Sequence, residues 1–501
     1  QTSKPLVVTA PETLFDVHSA KLPYKHQELL VNDFKVQPLL PYMISYHGPK
    51  IKVVDLNNDQ LDDLFIGGPE GQAPTILLQS TTGEFEPSEQ PFLDASSYYE
   101  DVNASFFDAD ADGDLDLYIV SGGFGTEDSG LSLEDRLYIN NDGLFVPSQN
   151  LPLDEMVGSV SLPWDFDMDG DLDLFVGTRV KQAAFPQTAP SMLLVNNGQG
   201  RFVSKKSKTL NELGLVKDAA VADFDSDGQQ ELLVIGDWDY PKIYRFKNYD
   251  LVEVTEQFFD TSYSGWWNTV EVNDIDNDGD LDVFLGNWGE NNQFKTSAAQ
   301  PMELFYDDFD GNGYIDPIWC YYIQGESYPN VLRDEITDQM VMLRKKFVTY
   351  EAYANATMET IFSPEQIEKA PKRVTDFLAT VWFENKGGKF ILHHFPIEVN
   401  FSSVNALLID DFDQDGHKDI LMGGNTHYNR VRIGNCETTY GIYLKGKGNH
   451  QFEYVPNHQT QISISGSVRS LESVRTPSGP KIVVGINNDY PLLLNLQNTN
   501  R

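Results

Sequence analysis

Seven times along this chain, oxygen-bearing side chains stand two residues apart and an acid follows four residues later, in the pattern D-x-[DN]-x-[DN]-x-x-x-[DE]. The runs are Asp55, Asn57, Asp59, Asp63; Asp108, Asp110, Asp112, Asp116; Asp165, Asp167, Asp169, Asp173; and Asp223, Asp225, Asp227, Glu231. Three more follow: Asp274, Asp276, Asp278, Asp282; Asp308, Asp310, Asn312, Asp316; and Asp411, Asp413, Asp415, Asp419. Their starts are separated by 53, 57, 58, 51, 34 and 103 residues. A hard cation such as Ca²⁺ takes six to eight oxygens, and a tightly coiled loop offers side chains at positions 1, 3 and 5. Glycine at position 6 permits the sharp turn, and only the first loop departs, with Gln60. The backbone carbonyl at position 7 (Leu61, Asp114, Asp171, Gln229, Asp280, Tyr314, His417) and the acid at position 9 then close the shell. An EF-hand would set its last acid at position 12 between helices. Here the flanks, such as Asp116–Val120 and Asp173–Gly177, are short apolar runs that read as buried strands. For any one such loop a solvated acidic turn is the weaker alternative; seven copies favour as many as seven calcium loops joining strands.

The loops account for much of the composition. The chain carries 76 acidic and 36 basic side chains, a formal charge of −40. Such a balance excludes attraction to nucleic acid or anionic lipid as a default role. Disorder does not fit, because 40% of residues are hydrophobic, with 30 Phe, 23 Tyr and 7 Trp to fill cores. Twenty-six carboxylates fall at ligand positions, so seven divalent ions would bring the net charge to −26. No apolar run approaches the roughly 18 residues of a membrane span. The two thiols, Cys320 and Cys436, are far apart in sequence and need not meet. The chain opens on Gln1, so any signal peptide or lipid anchor is expected to lie outside it.

The elements that must hold the loops repeat with them. Downstream of most loops lies a second apolar hairpin around a Gly/Asn turn, as in Ile76–Gln79 to Phe85, Arg136–Asn140 to Phe145, Met192–Val195 to Phe202, and Trp382–Asn385 to Phe390. Four short strands per roughly 50 residues predict an all-β fold, a β-propeller. Six loops fit the first hairpin of a blade, and the one at Asp308 reads as the turn of a second hairpin, which would explain its short offset. A last blade without a loop lies near Ile482–Gly485 and Leu492–Leu494, its missing outer strand supplied by Leu14–Val17. That gives seven blades, or eight if the Trp382 hairpin is a blade of its own. Residues 1–45 are thus an N-terminal segment contributing a ring-closing strand, and residues 46–501 the propeller.

Between about 333 and 370 the apolar period changes from 2 to 3.6, with Ile336, Met340, Leu343 and Phe347 on one helical face. Thr349 can cap a following helix, and Ser363-Pro364-Glu365-Gln366 reads as a capping box with proline at the first helical position. These helices are expected to cover an edge of the propeller, or to offer a docking surface to another protein.

The loops resemble the FG-GAP repeats of integrin α-chain propellers. The chain more closely resembles the bacterial proteins related to cartilage acidic protein, the ASPIC/UnbV group, through His47-Gly-Pro-Lys50, Ser264-Gly-Trp-Trp-Asn268, Asp308–Asn312 with Ile315-Asp-Pro317, Tyr322–Gly325 and Arg344–Phe347. The ASPIC/UnbV segment itself is not found, as expected of one propeller from a longer protein. The resemblance implies an extracellular or outer-membrane-surface, calcium-bound binding module, in bacteria often associated with nutrient-uptake machinery, including outer-membrane transporter complexes.

The loops leaving each blade's second strand should gather on the face opposite the acidic loops. There Arg179, Trp238, Trp288 and Asn425, with Trp266 and Trp267 nearby, would offer a charge, an amide and aromatic platforms to a protein or glycan. Catalysis has less support. Most clustered carboxylates are committed to metal, and neither His393-His394 nor His417 pairs with an obvious nucleophile. The expectation is therefore a non-enzymatic binding module. The alternative is a calcium-dependent polysaccharide lyase or other carbohydrate-active enzyme on the same scaffold.

Overall fold

A computed structural model of the chain describes residues 14–16, 20–125, 132–152 and 155–497. It holds eight antiparallel sheets. Seven are built alike, each a meander of four antiparallel strands. The first is Ile51–Val54, Asp63–Ile66, Thr75–Gln79 and Phe85–Pro87, and the second runs from Asp101–Phe107 to Leu144–Pro147. In the seventh, Val468–Thr476, Gly479–Ile486 and Leu492–Asn495 accept their outer strand, Ala20–Lys21, from the other end of the chain. The closure is registered by Ala20 opposite Leu493 and Phe15 opposite Leu496; Val17 lies outside the described residues.

Each sheet's first strand neighbours the first strand of the next, and the succession returns from Val468–Thr476 to Ile51–Val54. The cores follow the same circuit. Leu56, Phe65 and Ile76 of the first sheet meet Ala104, Leu117 and Tyr138 of the second, and Val474 and Val483 of the seventh meet Ile51 and Leu64 of the first. Second strands such as Asp116–Ser121 and Asp173–Val180 are buried along their whole length because a neighbouring blade covers each face. They therefore carry continuous apolar runs where a half-exposed strand would alternate. This is an all-β propeller. Among the described residues, no helix is long and apolar enough to cross a membrane.

The eighth sheet corrects the reading of the Asp308 loop. The Trp382 hairpin is not a separate blade: Val381–Asn385 pairs with Asp282–Gly286, completing the blade that carries the Asp274 loop. Between those two strands the chain makes an excursion into a separate sheet of Met302–Asp307, Asp316–Ile323, Glu326–Pro329 and Lys372–Thr375. The Asp308 loop is the turn of that sheet's first hairpin, not of a blade's second. Local pattern could not reveal this, because a strand's partner across a long insertion leaves no mark on its own residues.

The helices lie within the same excursion. Arg333–Gln339 and the turn Val341–Lys345 bury Ile336, Met340 and Leu343, together with Phe347, against Phe309, Ile318 and Cys320 of the inserted sheet. Thr349 caps Tyr350–Tyr353, and the reciprocal bonds of Ser363 and Gln366 open Pro364–Lys369. Cys320 and Cys436 are free thiols, Cys320 buried in this core and Cys436 packed at the edge of another.

Candidate metal centres

All seven acidic loops share one hydrogen-bond scheme. The carboxylate at position 1 accepts the N–H groups of positions 5 and 6; Asp108 takes them from Asp112 at 3.2 Å and Gly113 at 3.1 Å. The side chain at position 5 accepts the N–H of position 7, as Asp112 does from Asp114 at 3.1 Å. This coil needs two left-handed residues. One is position 6, where Gly113 has φ +96°, and Gln60 adopts the same turn at φ +70°. The first loop thus keeps its shape, at a cost of about 1–2 kcal/mol for a side chain in that region. The other is position 4, which no residue type marks in the sequence: Asn58, Ala111, Met168, Ser226, Asn277, Gly311 and Gln414 all adopt it.

Position 9 is the anchor. Asp63, Asp116, Asp173, Glu231, Asp282, Asp316 and Asp419 are all buried. Asp116 accepts N–H groups from Ala109 in its own loop at 2.8 Å and from Asn140 on the third strand at 2.9 Å. The Asn140 amide in turn donates to Leu115 in its own blade and to Leu56 beside the preceding blade's loop, and Asn196 and Asn385 repeat the pattern. In these three blades the third-strand amide therefore couples the loop to that of the preceding blade. In the inserted sheet, helix side chains do the fastening: Gln339 donates to Asp316, and Gln366 to the Phe309 carbonyl.

The carboxylates suit a hard cation. Oxygens from positions 1, 3 and 9 converge within 4.8 Å of one another in Asp108/Asp110/Asp116, Asp165/Asp167/Asp173, Asp223/Asp225/Glu231 and Asp274/Asp276/Asp282. Asp110 Oδ1, Asp114 Oδ1, Asp173 Oδ2 and Asp225 Oδ1 are buried with no hydrogen-bond partner. Such oxygens are costly unless something positive meets them. Burial also pushes the carboxyls of Asp63, Asp116, Asp282, Asp316 and Asp419 up to about 6 and that of Asp173 to about 7.

Two loops differ in a way their own residues did not signal. Arg245, on the third strand of its blade, pairs with Asp225 and Glu231 of the Asp223 loop. Lys445 likewise pairs with Asp413 and, at 2.9 Å, with Asp415. Among the described residues, the other five loops have no lysine or arginine paired with a position 1, 3, 5 or 9 side chain. A protein cation in the ligand shell competes with a metal ion, so occupancy should divide along this line. Lys445→Gln is expected to raise by one the calcium ions counted by native mass spectrometry at limiting metal. An unchanged count would mean that Lys445 does not compete.

A further cluster spans two blades. His450 lies 3.6 Å from Asp276 and 3.4 Å from Glu384, while His393 bonds Glu384 at 2.8 Å and stacks on Trp382 with centroids 4.4 Å apart. His393 has no partner near it in sequence, because Glu384 reaches it across a hairpin and His450 comes from the next blade.

The aromatic platform expected on the opposite face is not on the surface. Arg179, Trp238, Trp266, Trp267, Trp288 and Asn425 are all at most 5% exposed. Trp238, Trp266, Trp288 and Trp319 pack edge to face or tilted at 4.9–6.2 Å beneath Leu40, Tyr42 and Ile44. The N-terminal segment and the inserted sheet thus cover the face that the exit loops build. Trp267 points the other way, into the core between the fourth and fifth blades, as adjacent strand residues must. Arg179 is tied to Asp237, and Asn425 donates to Thr439 and Gly466 carbonyls at 2.8 and 3.1 Å. Beside this cap lies an open cleft of about 480 Å³ whose lining includes Glu290, Phe294, Lys295, Phe377, Ile397 and Phe401.

Residues 55–119, 165–234 and 223–285 match the family model described as FG-GAP-like repeat, each segment starting on the first aspartate of a loop. No curated protein matches the chain. Among solved structures, BBS1N in complex with ARL6DN is 11% identical, with 98% of this chain and 99% of that one covered at a TM-score of 0.41. The V. cholerae biofilm matrix protein Bap1 is 10% identical, with 97% and 92% covered at 0.38. The chain carries FG-GAP-like repeats on a β-propeller.

Proposed function

We propose that this chain is a calcium-stabilised, non-catalytic binding module that works outside the cytoplasm, secreted or at a cell surface, and recognises a protein. The observation that carries the calcium reading is the convergence of three carboxylates within 4.8 Å, with buried oxygens left unpartnered. Sites of this kind fill where calcium is plentiful, which favours an extracellular setting.

With the aromatic face covered, the binding surface shifts to the excursion. Leu332, Val341, Met342, Val348 and Tyr350 are large apolar side chains between 48% and 69% exposed, all carried by the helical segment. Exposed apolar surface of this kind favours a protein partner over a glycan. In the cleft beside the cap, the geometry does not support a lyase. The 480 Å³ cleft is made by residues at the exit ends of the strands, whereas the blade loops lie at the opposite ends. A substrate held there would not reach a loop-bound cation.

The test is capture from the native surface fraction with calcium retained, comparing wild type with Met342→Asp/Val348→Asp. A partner held by the wild type and lost by the variant supports the reading; an unchanged set of partners refutes the placement. Unsaturated oligosaccharides released from acidic polysaccharides would overturn the non-catalytic assignment.

A further inference from the structure

For a chain of charge −40, the centre of the ring is unexpectedly basic. Just under the cap lies a cavity of about 40 Å³ whose lining includes His47, Lys50, Arg179, Lys217, Asn268 and Arg469. These cations come from separate blades: Lys50 precedes the first, Arg179 ends the second strand of the third, Lys217 starts the fourth, and Arg469 starts the seventh. The cavity continues, past Lys50 and Arg469, into an axial channel of about 230 Å³.

No carboxylate is among the described residues lining this cavity, and of the carboxylates nearby only Asp237 forms an ion pair with these groups. Arg179 and Lys217 share one, Asp237, with Lys217 at 3.3 Å, and the Tyr42 hydroxyl donates to the same carboxylate. Lys50 and Arg469 make no ion pair among the described residues. Glu28 attracts Arg469 electrostatically, and Asp218 and Glu472 attract Lys50. Asp218 is engaged by Thr269 and Val270, and with Glu271, Glu472 and Lys52 it lines the channel below. Arg179 is 3% exposed, yet its Nε and Nη1 have no partner, and neither does Arg469 Nε. Buried donors on a guanidinium are costly when unmet. The crowding is felt by His47, which burial and the four surrounding cations hold well below the ordinary histidine range.

We propose that this cavity binds one small inorganic anion, which neutralises the converging cations and ties four elements of the ring together at its axis. A single water needs roughly 10–15 Å³ of such space, and the cavity offers about 40 Å³. The space therefore suits a halide or a tetrahedral oxyanion and is too small for a sugar phosphate or a polymer. Arginine and lysine donors from several directions are the chemistry that recognises such an ion. The channel supplies its route inward.

The test uses the full calcium-loaded chain in sodium gluconate at constant ionic strength, titrated in separate arms with sodium sulfate and sodium chloride. Saturable binding of one ion per chain by calorimetry, accompanied by a rising unfolding midpoint, is expected in at least one arm; the arms identify the ion. Arg469→Gln should weaken binding about tenfold or more, as loss of a charged hydrogen-bond donor does, and leave the calcium count unchanged. If that variant does not fold, Lys50→Gln, a partly exposed side chain, is read in the same way. No binding in either arm by 10⁻² M (an order-of-magnitude ceiling for a specific site), or equal binding by wild type and the folded variant, overturns the proposal.

Discussion

Chelating calcium is expected to lower the unfolding midpoint by on the order of 10 °C at pH 7.5 and to change it little near pH 5. A site held at a hundred times its dissociation constant contributes about 2.7 kcal/mol to the fold. Among the described residues, five loops have no lysine or arginine paired with a ligand-position side chain, so their contributions add before the two guarded loops are counted. Each kcal/mol moves the midpoint of a large domain by roughly 2 °C or less. The pH dependence follows from the buried position-9 acids. Without metal, burial raises Asp116 and Asp282 to about 6 and Asp173 to about 7, above the usual value near 4. Between those values the metal-free fold retains protons that the unfolded chain has released. The stability these groups contribute is therefore greatest at low pH and falls as pH rises towards 7. A bound cation favours the ionised carboxylates and reverses the slope, so calcium-bound stability is lost as pH falls. Scanning calorimetry at one scan rate, with calcium or with excess EDTA from pH 5 to pH 8, should give curves that converge at low pH and separate at high pH. Superimposed curves would mean that the loops are solvated turns.

The loops were legible in the sequence because their chemistry is local: nine residues contain the ligands, the turn and the first residue of the next strand. The blades were legible for a related reason, since most pairings join consecutive hairpins. What was hidden is long-range. Asp282–Gly286 and Val381–Asn385 are adjacent in space but separated by the whole inserted sheet, and neither strand's pattern names the other. Arg245 and Lys445 sit on third strands, where a basic residue reads as an ordinary exposed position until register places it over a loop. The tryptophans misled for a third reason. Gly236-Asp-Trp238 and Gly286-Asn-Trp288 do leave strands on the face opposite the loops, but whether that face meets solvent is decided by residues 33–47 and the excursion.

Asp237→Ala should be the most damaging single substitution on that covered face. Asp237 is 1% exposed and is the shared partner of Arg179, Lys217 and the Tyr42 hydroxyl. Burial alone would raise its pKa, but Arg179 and Lys217 hold it below the ordinary carboxylate value, so it is ionised at neutral pH. Removing it leaves two cations near each other with their counter-charge gone, and removes the acceptor that fixes the cap through Tyr42. Breaking a buried pair from one side typically costs about 3–5 kcal/mol, because the remaining charge is stranded. In calcium-saturated protein the unfolding midpoint should fall by roughly 5 °C. Asp237→Ala with Arg179→Met should recover part of the loss, since it removes one of the stranded cations and leaves an apolar side chain of similar length. The two changes would then be strongly non-additive. A single substitution costing less than about 1 kcal/mol, within the range of an exposed ion pair, would show that solvent reaches this network and that the cap does not seal the axis.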